Sequence, residues 1–261
     1  MRSPYGHIDL IDVGNGGISN VRRISAQGTN SVIDTGSVPE DMWSGGGLYP
    51  WMTAATSLEV VSTSASDTAA GPGARAVLLN LLDSSYLEVP RIVALNGLTA
   101  VPISGQYFRI NPSAVVDPTG VTSLSGNYTN VGDIIIRDAG GGTIRAIIPA
   151  GFGQTQQAVY TVPAGWQFQV ISILTNYNRV QNVARSASFN YYARSHTGLY
   201  RLSNEISITN QNAFELELVP GPLLPEKTDF SIRCTFVADN GSNLSATFMG
   251  VMTKNSIGLS A

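Results

Sequence analysis

In Phe230-Ser231-Ile232-Arg233-Cys234-Thr235-Phe236 apolar and polar side chains strictly alternate. A period of two sends successive side chains to opposite sheet faces, so this segment reads as a strand with one buried and one wet side. Phe214-Glu215-Leu216-Glu217-Leu218 and Ala187-Ser188-Phe189-Asn190-Tyr191 repeat the pattern. Turn residues lie between such runs: Asn96-Gly97, Asp239-Asn240-Gly241 and Pro163-Ala164-Gly165. No segment shows a helical period, so the expected class is all-β.

Outward from these runs the chain divides into three regions. Residues 1–52 hold glycine clusters and the aromatics Trp43, Tyr49 and Trp51 with little periodicity, which predicts an extended N-terminal arm. Residues 53–138 contain about six short strands, at 58–62, 76–82, 87–95, 98–103, 107–116 and 133–137, a number that suits a small Ig-like β-sandwich. Gly140-Gly141-Gly142 is read as a hinge. Residues 143–261 contain about eight strands, which suits a jelly-roll-like β-sandwich.

Of the 261 residues, 74 are Ser, Thr, Asn or Gln, whereas only 13% are charged, about half of the ~25% of an ordinary globular chain. The net charge is −3 and the densest basic cluster is Arg22-Arg23, a poor match to a protein that neutralises nucleic-acid phosphates. Only two cations are lysine, Lys227 and Lys254; the rest are arginine. Interfaces lose Lys and Glu and keep Arg and aromatics. The composition therefore fits a subunit largely covered by other subunits, or simply a Ser/Thr/Asn-rich β-protein. The N-terminus has no apolar stretch of the kind a secretory signal needs. The uncharged run 146–178 is too broken by Pro, Gly and Gln to span a membrane as a helix.

Chemistry is sparse. His7 and His196 are the sole imidazoles, and His196 reads as a loop residue rather than a base. Cys234 shares a face with Phe230, Ile232 and Phe236, which makes it a small buried hydrophobe. Glu215 and Glu217 point to one face of a strand, roughly 7 Å apart, a separation that inverting glycoside hydrolysis can use. Solvated glutamates are the simpler reading. No metal, phosphate-loop or cofactor motif is present. Trp43, Trp51 and Trp166 could stack on a sugar, but packing is preferred. In the arm Trp43 and Trp51 need a partner surface, either another subunit or the following domain.

The blocks Val38-Pro39-Glu40-Asp41-Met42-Trp43-Ser44-Gly45-Gly46-Gly47, Leu58-Glu59-Val60-Val61-Ser62 and Asp67-Thr68-Ala69-Ala70-Gly71-Pro72-Gly73-Ala74-Arg75 resemble a family of tailed-bacteriophage virion structural proteins. Leu95-Asn96-Gly97, Phe108-Arg109-Ile110-Asn111, Ile148-Pro149-Ala150-Gly151-Phe152-Gly153-Gln154-Thr155 and Ala158-Val159-Tyr160-Thr161-Val162-Pro163-Ala164-Gly165 continue the likeness. Pro72 departs from it, since a threonine or similar residue is expected there; the departure touches a turn. The resemblance implies a virion location and no catalytic residues. It also implies partners among the major capsid protein and other virion proteins, and a homo-oligomer, with a trimer favoured. A capsid decoration or cement (head-fibre) subunit is the first expectation, a tail component the second, and a glycan hydrolase the weakest. The residues expected to make assembly contacts are Trp43, Tyr49 and Trp51, with Arg22 and Arg23 as polar anchors.

Overall fold

The computed structural model describes residues 18–117, 129–178, 186–195, 198, 201–209, 212–218 and 221–255. All regular structure among them is β. The chain begins with β1 (Val21–Ile33) and β2 (Glu40–Asp41). It continues with β3 (Thr56–Ser62), β4 (Ala76–Leu82), β5 (Arg91–Ala94), β6 (Val101–Tyr107), β7 (Arg109–Val116), β8 (Ile134–Asp138) and β9 (Ile144–Ile148). Then come β10 (Val159–Thr161), β11 (Trp166–Asn178), β12 (Ser186–Ser195), β13 (Arg201–Thr209), β14 (Ala213–Glu217), β15 (Leu223–Leu224), β16 (Thr228–Val237) and β17 (Ser242–Lys254).

β3 to β9 make a small sandwich of two sheets, ordered β6-β3-β8-β9 and β5-β4-β7. Its core is drawn from both: Leu58 and Val60 of β3 and Ile134 and Ile136 of β8 meet Val77, Leu79 and Leu81 of β4. The larger sandwich has one sheet ordered β1-β17-β11-β14, with β15 also on β11. The other is ordered β10-β16-β12-β13, with β2 also on β16. Phe168 and Phe248 from the first sheet pack against Phe189 and Phe230 from the second, all fully buried. The all-β sandwich architecture is therefore the one the alternation predicts.

Four local expectations change. Residues 21–33 are no free arm: β1 pairs with β17 from Val21↔Thr253 to Ile33↔Ser242. Their inward positions include Ala26 and Gly28, small enough to weaken the hydrophobic alternation a sequence reading depends on. Gly28 has a packing reason. A Cβ there would lie 1.9 Å from the Met42 carbonyl oxygen and 2.3 Å from the Ala158 nitrogen, so only glycine lets β1 cross the edge of the opposite sheet. Gly140-Gly141-Gly142 is not a hinge but the turn of the β8–β9 hairpin, with Gly140 and Gly141 at φ of 81° and 78°. Their amides donate to the Glu59 carboxylate, at 2.9 and 3.0 Å. β9, expected in the second sandwich, extends the sheet of the first. Phe236 is 49% exposed rather than buried beside Cys234. A bulge between the Ser188↔Phe236 and Phe189↔Cys234 pairs inserts Thr235 and turns Phe236 outward.

One end of the small sandwich is tied by a single carboxylate. Buried Asp67 accepts from Ser62 Oγ at 2.6 Å and from the amides of Ala74, Val131 and Gly132. Burial by itself would raise its pKa, but these four donors together hold the carboxyl below the usual range.

Candidate functional site: the seam between the sandwiches

The outward face of the β10-β16-β12 sheet carries Thr161, Asp229 and Arg194 in register, since Thr161 and Arg194 both pair with Asp229. Alternation alone makes this a wet face. Instead the small sandwich lies against it. Arg109 at the start of β7 donates to both Asp229 carboxylate oxygens, at 2.8 and 3.0 Å. Asp229 also accepts from Arg194 Nη2 at 2.6 Å and from the Thr161 hydroxyl at 2.7 Å. The Arg109 and Asp229 side chains are 5% and 1% exposed. Such a pair is stabilising only when its remaining donors are also satisfied. Arg109 Nη1 donates to the carbonyls of Met52 and Phe108, which satisfies both of its N–H groups. Asn111 adds a reciprocal pair with the Thr161 backbone, at 2.9 and 2.8 Å.

The aromatics of residues 43–51 fill the same seam. Trp43 and Tyr49 are 4% and 6% exposed and cluster with Val159 and the partly buried Trp51. Tyr49 stands edge-on to both tryptophans, with ring centroids at 5.2 and 4.8 Å. Arg109 lies over Phe108 at 3.9 Å and over Trp51 at 5.3 Å. A second ion pair, Arg233–Asp41 at 2.9 Å, fastens β2 to β16, and Asp41 also accepts from the Tyr49 amide. Burial pushes the Tyr49 phenol upward, with Arg109 and Arg145 pulling the other way, so it stays neutral at ordinary pH.

The five residues expected at assembly contacts therefore have different positions. Trp43 and Tyr49 are internal, and of the two partners open to the aromatics it is the chain's own sandwich that covers them. Arg22 is half-exposed, bonded to Glu88 of the small sandwich at 2.8 Å and stacked 3.8 Å over Trp166. Arg23 is exposed, with Nη2 3.2 Å from Met249 Sδ. Arg109, Asp229 and Arg194 are site residues that the sequence pattern does not single out. Their one sequence signal is a charged residue next to a strand's apolar run, which does not distinguish a covered face from a wet one.

The remaining chemical candidates stay apart. Cys234 is fully buried, and burial pushes its thiol up to about 12, too high for a nucleophile. Glu215 and Glu217 are exposed on β14. His7 and His196 lie outside the described residues. Among the described residues no group of three or more His, Cys, Asp or Glu could hold a metal ion. A cleft of about 320 Å³ lies between β1 and β7. Ser25, Gln27, Thr247, Ser113, Gln154 and Thr155 supply its polar lining, and no titratable side chain contributes to it. It offers hydrogen bonds but no general acid or base.

Neither a family model nor a curated protein matches the chain. Among solved structures it is similar to the infectious bursal disease virus Gt strain structure, with 14% identity, 91% of this chain and 73% of that one covered, and a TM-score of 0.25. A subviral particle of VP2 from the same virus gives 11% identity, 90% and 71% coverage and a TM-score of 0.22. Empty particles of cowpea mosaic virus give 10%, 75%, 80% and 0.22. At TM-scores this low, neither residue roles nor modes of assembly carry over from those proteins to this chain.

Proposed function

We propose that this chain is a structural protein of a bacteriophage virion, acting as a capsid decoration or cement (head-fibre) subunit that stabilises the head by burying surface. The observation that carries this reading is the placement of its few charges. Among the described residues, arginines 22, 109, 137, 145, 194 and 233 are in ion pairs within the chain, and most of these pairs are buried or half-buried. They fasten the two sandwiches to each other and brace their hairpins. The outer surface is rich in hydroxyls and amides, which suit contact with other protein surfaces rather than proton transfer. The sequence resemblance to virion structural proteins points the same way. In this role a rigid two-sandwich body lies against the major capsid protein and its own copies. Each standard contact removes roughly 1,600 Å² from water, repeated over the lattice.

The test is quantitative mass analysis of purified, DNA-filled heads and of tails. Hundreds of copies per head are expected. Three to about eighteen copies, confined to tails, would move the chain to a collar, baseplate or receptor-binding position. Absence from the particle would remove the proposal.

A further inference from the structure

The turn between β16 and β17 meets the loop that follows β1 at an Asn-Gly pair. Thr35 donates to Asn240 Oδ1 twice, from its amide at 2.9 Å and from its hydroxyl at 2.8 Å. The Gly241 amide donates to Asp34 Oδ1 at 2.7 Å. All four residues are exposed, so water reaches them. A Cβ at Gly241 would meet nothing within 4 Å, so its glycine is not there for packing. In an Asn-Gly pair no Cβ hinders the glycine nitrogen from attacking the asparagine Cγ and closing a five-membered ring. In an ordinary turn two things hold that reaction back: the amide nitrogen keeps its proton, and the side-chain carbonyl is a weak electrophile. Here a carboxylate is bonded to the proton that must leave. Two donors are bonded to the oxygen on which negative charge builds. Asn96-Gly97, in the small sandwich, has neither aid. The Gly97 amide donates to the Asp67 backbone carbonyl at 2.8 Å, and among the described residues no hydrogen bond reaches Asn96 Oδ1.

We propose that Asn240 is a self-modification site, where the chain converts its own asparagine to aspartate and isoaspartate. The Gly241 nitrogen bonds to Asn240 Cγ as its proton passes to the Asp34 carboxylate. Negative charge gathers on Oδ1, held by the Thr35 amide and hydroxyl. The Cγ–Nδ2 bond then breaks, and ammonia leaves with the proton that Asp34 had taken. Water opens the cyclic imide at either carbonyl. One opening gives aspartate; the other reroutes the backbone through the side chain and gives isoaspartate. Nothing is oxidised or reduced, and water is the co-reactant. The product places a new carboxylate close to that of Asp34, and like charges repel. The contact between the loop after β1 and the β16–β17 turn therefore weakens as the protein ages. The reaction goes beyond the virion role and holds whether or not heads carry the chain.

Peptide mapping of the full chain by mass spectrometry during incubation at pH 7.5 and 37 °C tests this, with isoaspartate separated from aspartate by chromatography. Asn240 should convert at least tenfold faster than Asn96. Asp34→Asn keeps an acceptor for the Gly241 amide but no base, and should slow the conversion about tenfold or more. Thr35→Val removes the hydroxyl donor and should slow it several-fold. The Asn96 rate should not respond to either change, and thermal melts confirm that each variant is folded. If these bonds instead hold the turn shut against the reaction, both variants convert faster than the parent, and the proposal is overturned. An unchanged rate in either variant also overturns it, as does a parent in which Asn240 converts no faster than Asn96.

Discussion

The two sheets of the larger sandwich have outward faces of opposite character. On the β10-β16-β12 sheet, Thr161, Asp229, Arg194 and Arg233 are bonded to groups inside the chain. On the β1-β17-β11-β14 sheet, Arg23, Glu215 and Glu217 have no ion pair among the described residues and reach solvent. The charges of the first face have found partners within the chain; these three charges of the second are left to solvent. The contrast follows from desolvation. A charge covered by protein is tolerated only when paired, so covering the first face required Arg109 and Arg194 around Asp229. The exposed charges of the second face had no such requirement.

The sharpest way to break this comparison is Asp229→Ala. It leaves Arg109 and Arg194 facing each other in a closed seam, and breaking a buried pair in this way costs about 3–5 kcal/mol. Urea unfolding should show that loss. If the variant is as stable as the parent, the seam is wet and the two faces do not differ. Gly28→Ala comes next. A methyl 1.9 Å from the Met42 carbonyl must push β1 away from β2 and β10, an overpacking cost of about 1–3 kcal/mol. Its thermal midpoint should fall, and hydrogen exchange should quicken in β1 and β10 rather than in the small sandwich.

Strand positions were legible because burial of one face imposes a period of two. The stretch 76–82 is β4 residue for residue, and 186–193 and 213–219 contain most of β12 and β14. What covers a face leaves no periodic trace. Asp229 and Arg194 look solvated in sequence, because alternation reports the side of the sheet and not the neighbour above it. Trp43 and Tyr49 showed that some surface must cover them, without showing whose. β1 leaves no periodic trace either, since Ala26 and Gly28 are inward positions with little apolar area. The bulge that exposes Phe236 changes no composition at all.

Acid reaches the small sandwich through a buried carboxylate. In the small one the Asp67 carboxyl is held below its ordinary value, near 3.9 in an unfolded chain. A depressed folded pKa contributes stability that is complete above the unfolded value and is lost as pH falls through the folded one. The β3–β9 sandwich should therefore loosen below about pH 4. Asp67→Asn should lower its melting temperature at pH 7, with the gap from the parent closing as the pH drops. An equal gap at pH 7 and pH 3 would assign the effect to packing instead of charge.

The smallest expected effect bears most directly on the exposed charges of the second face. Glu215→Gln and Glu217→Gln remove carboxylates as Asp229→Ala does, and they too sit on an outward strand face. With solvent rather than an arginine opposite them, each should change monomer stability by no more than about 0.5 kcal/mol. Unfolding measured at high dilution isolates this quantity from self-association. A loss of ~2 kcal/mol or more would mean that an internal group opposes β14 after all, and the outward face of its sheet would then be as covered as the other.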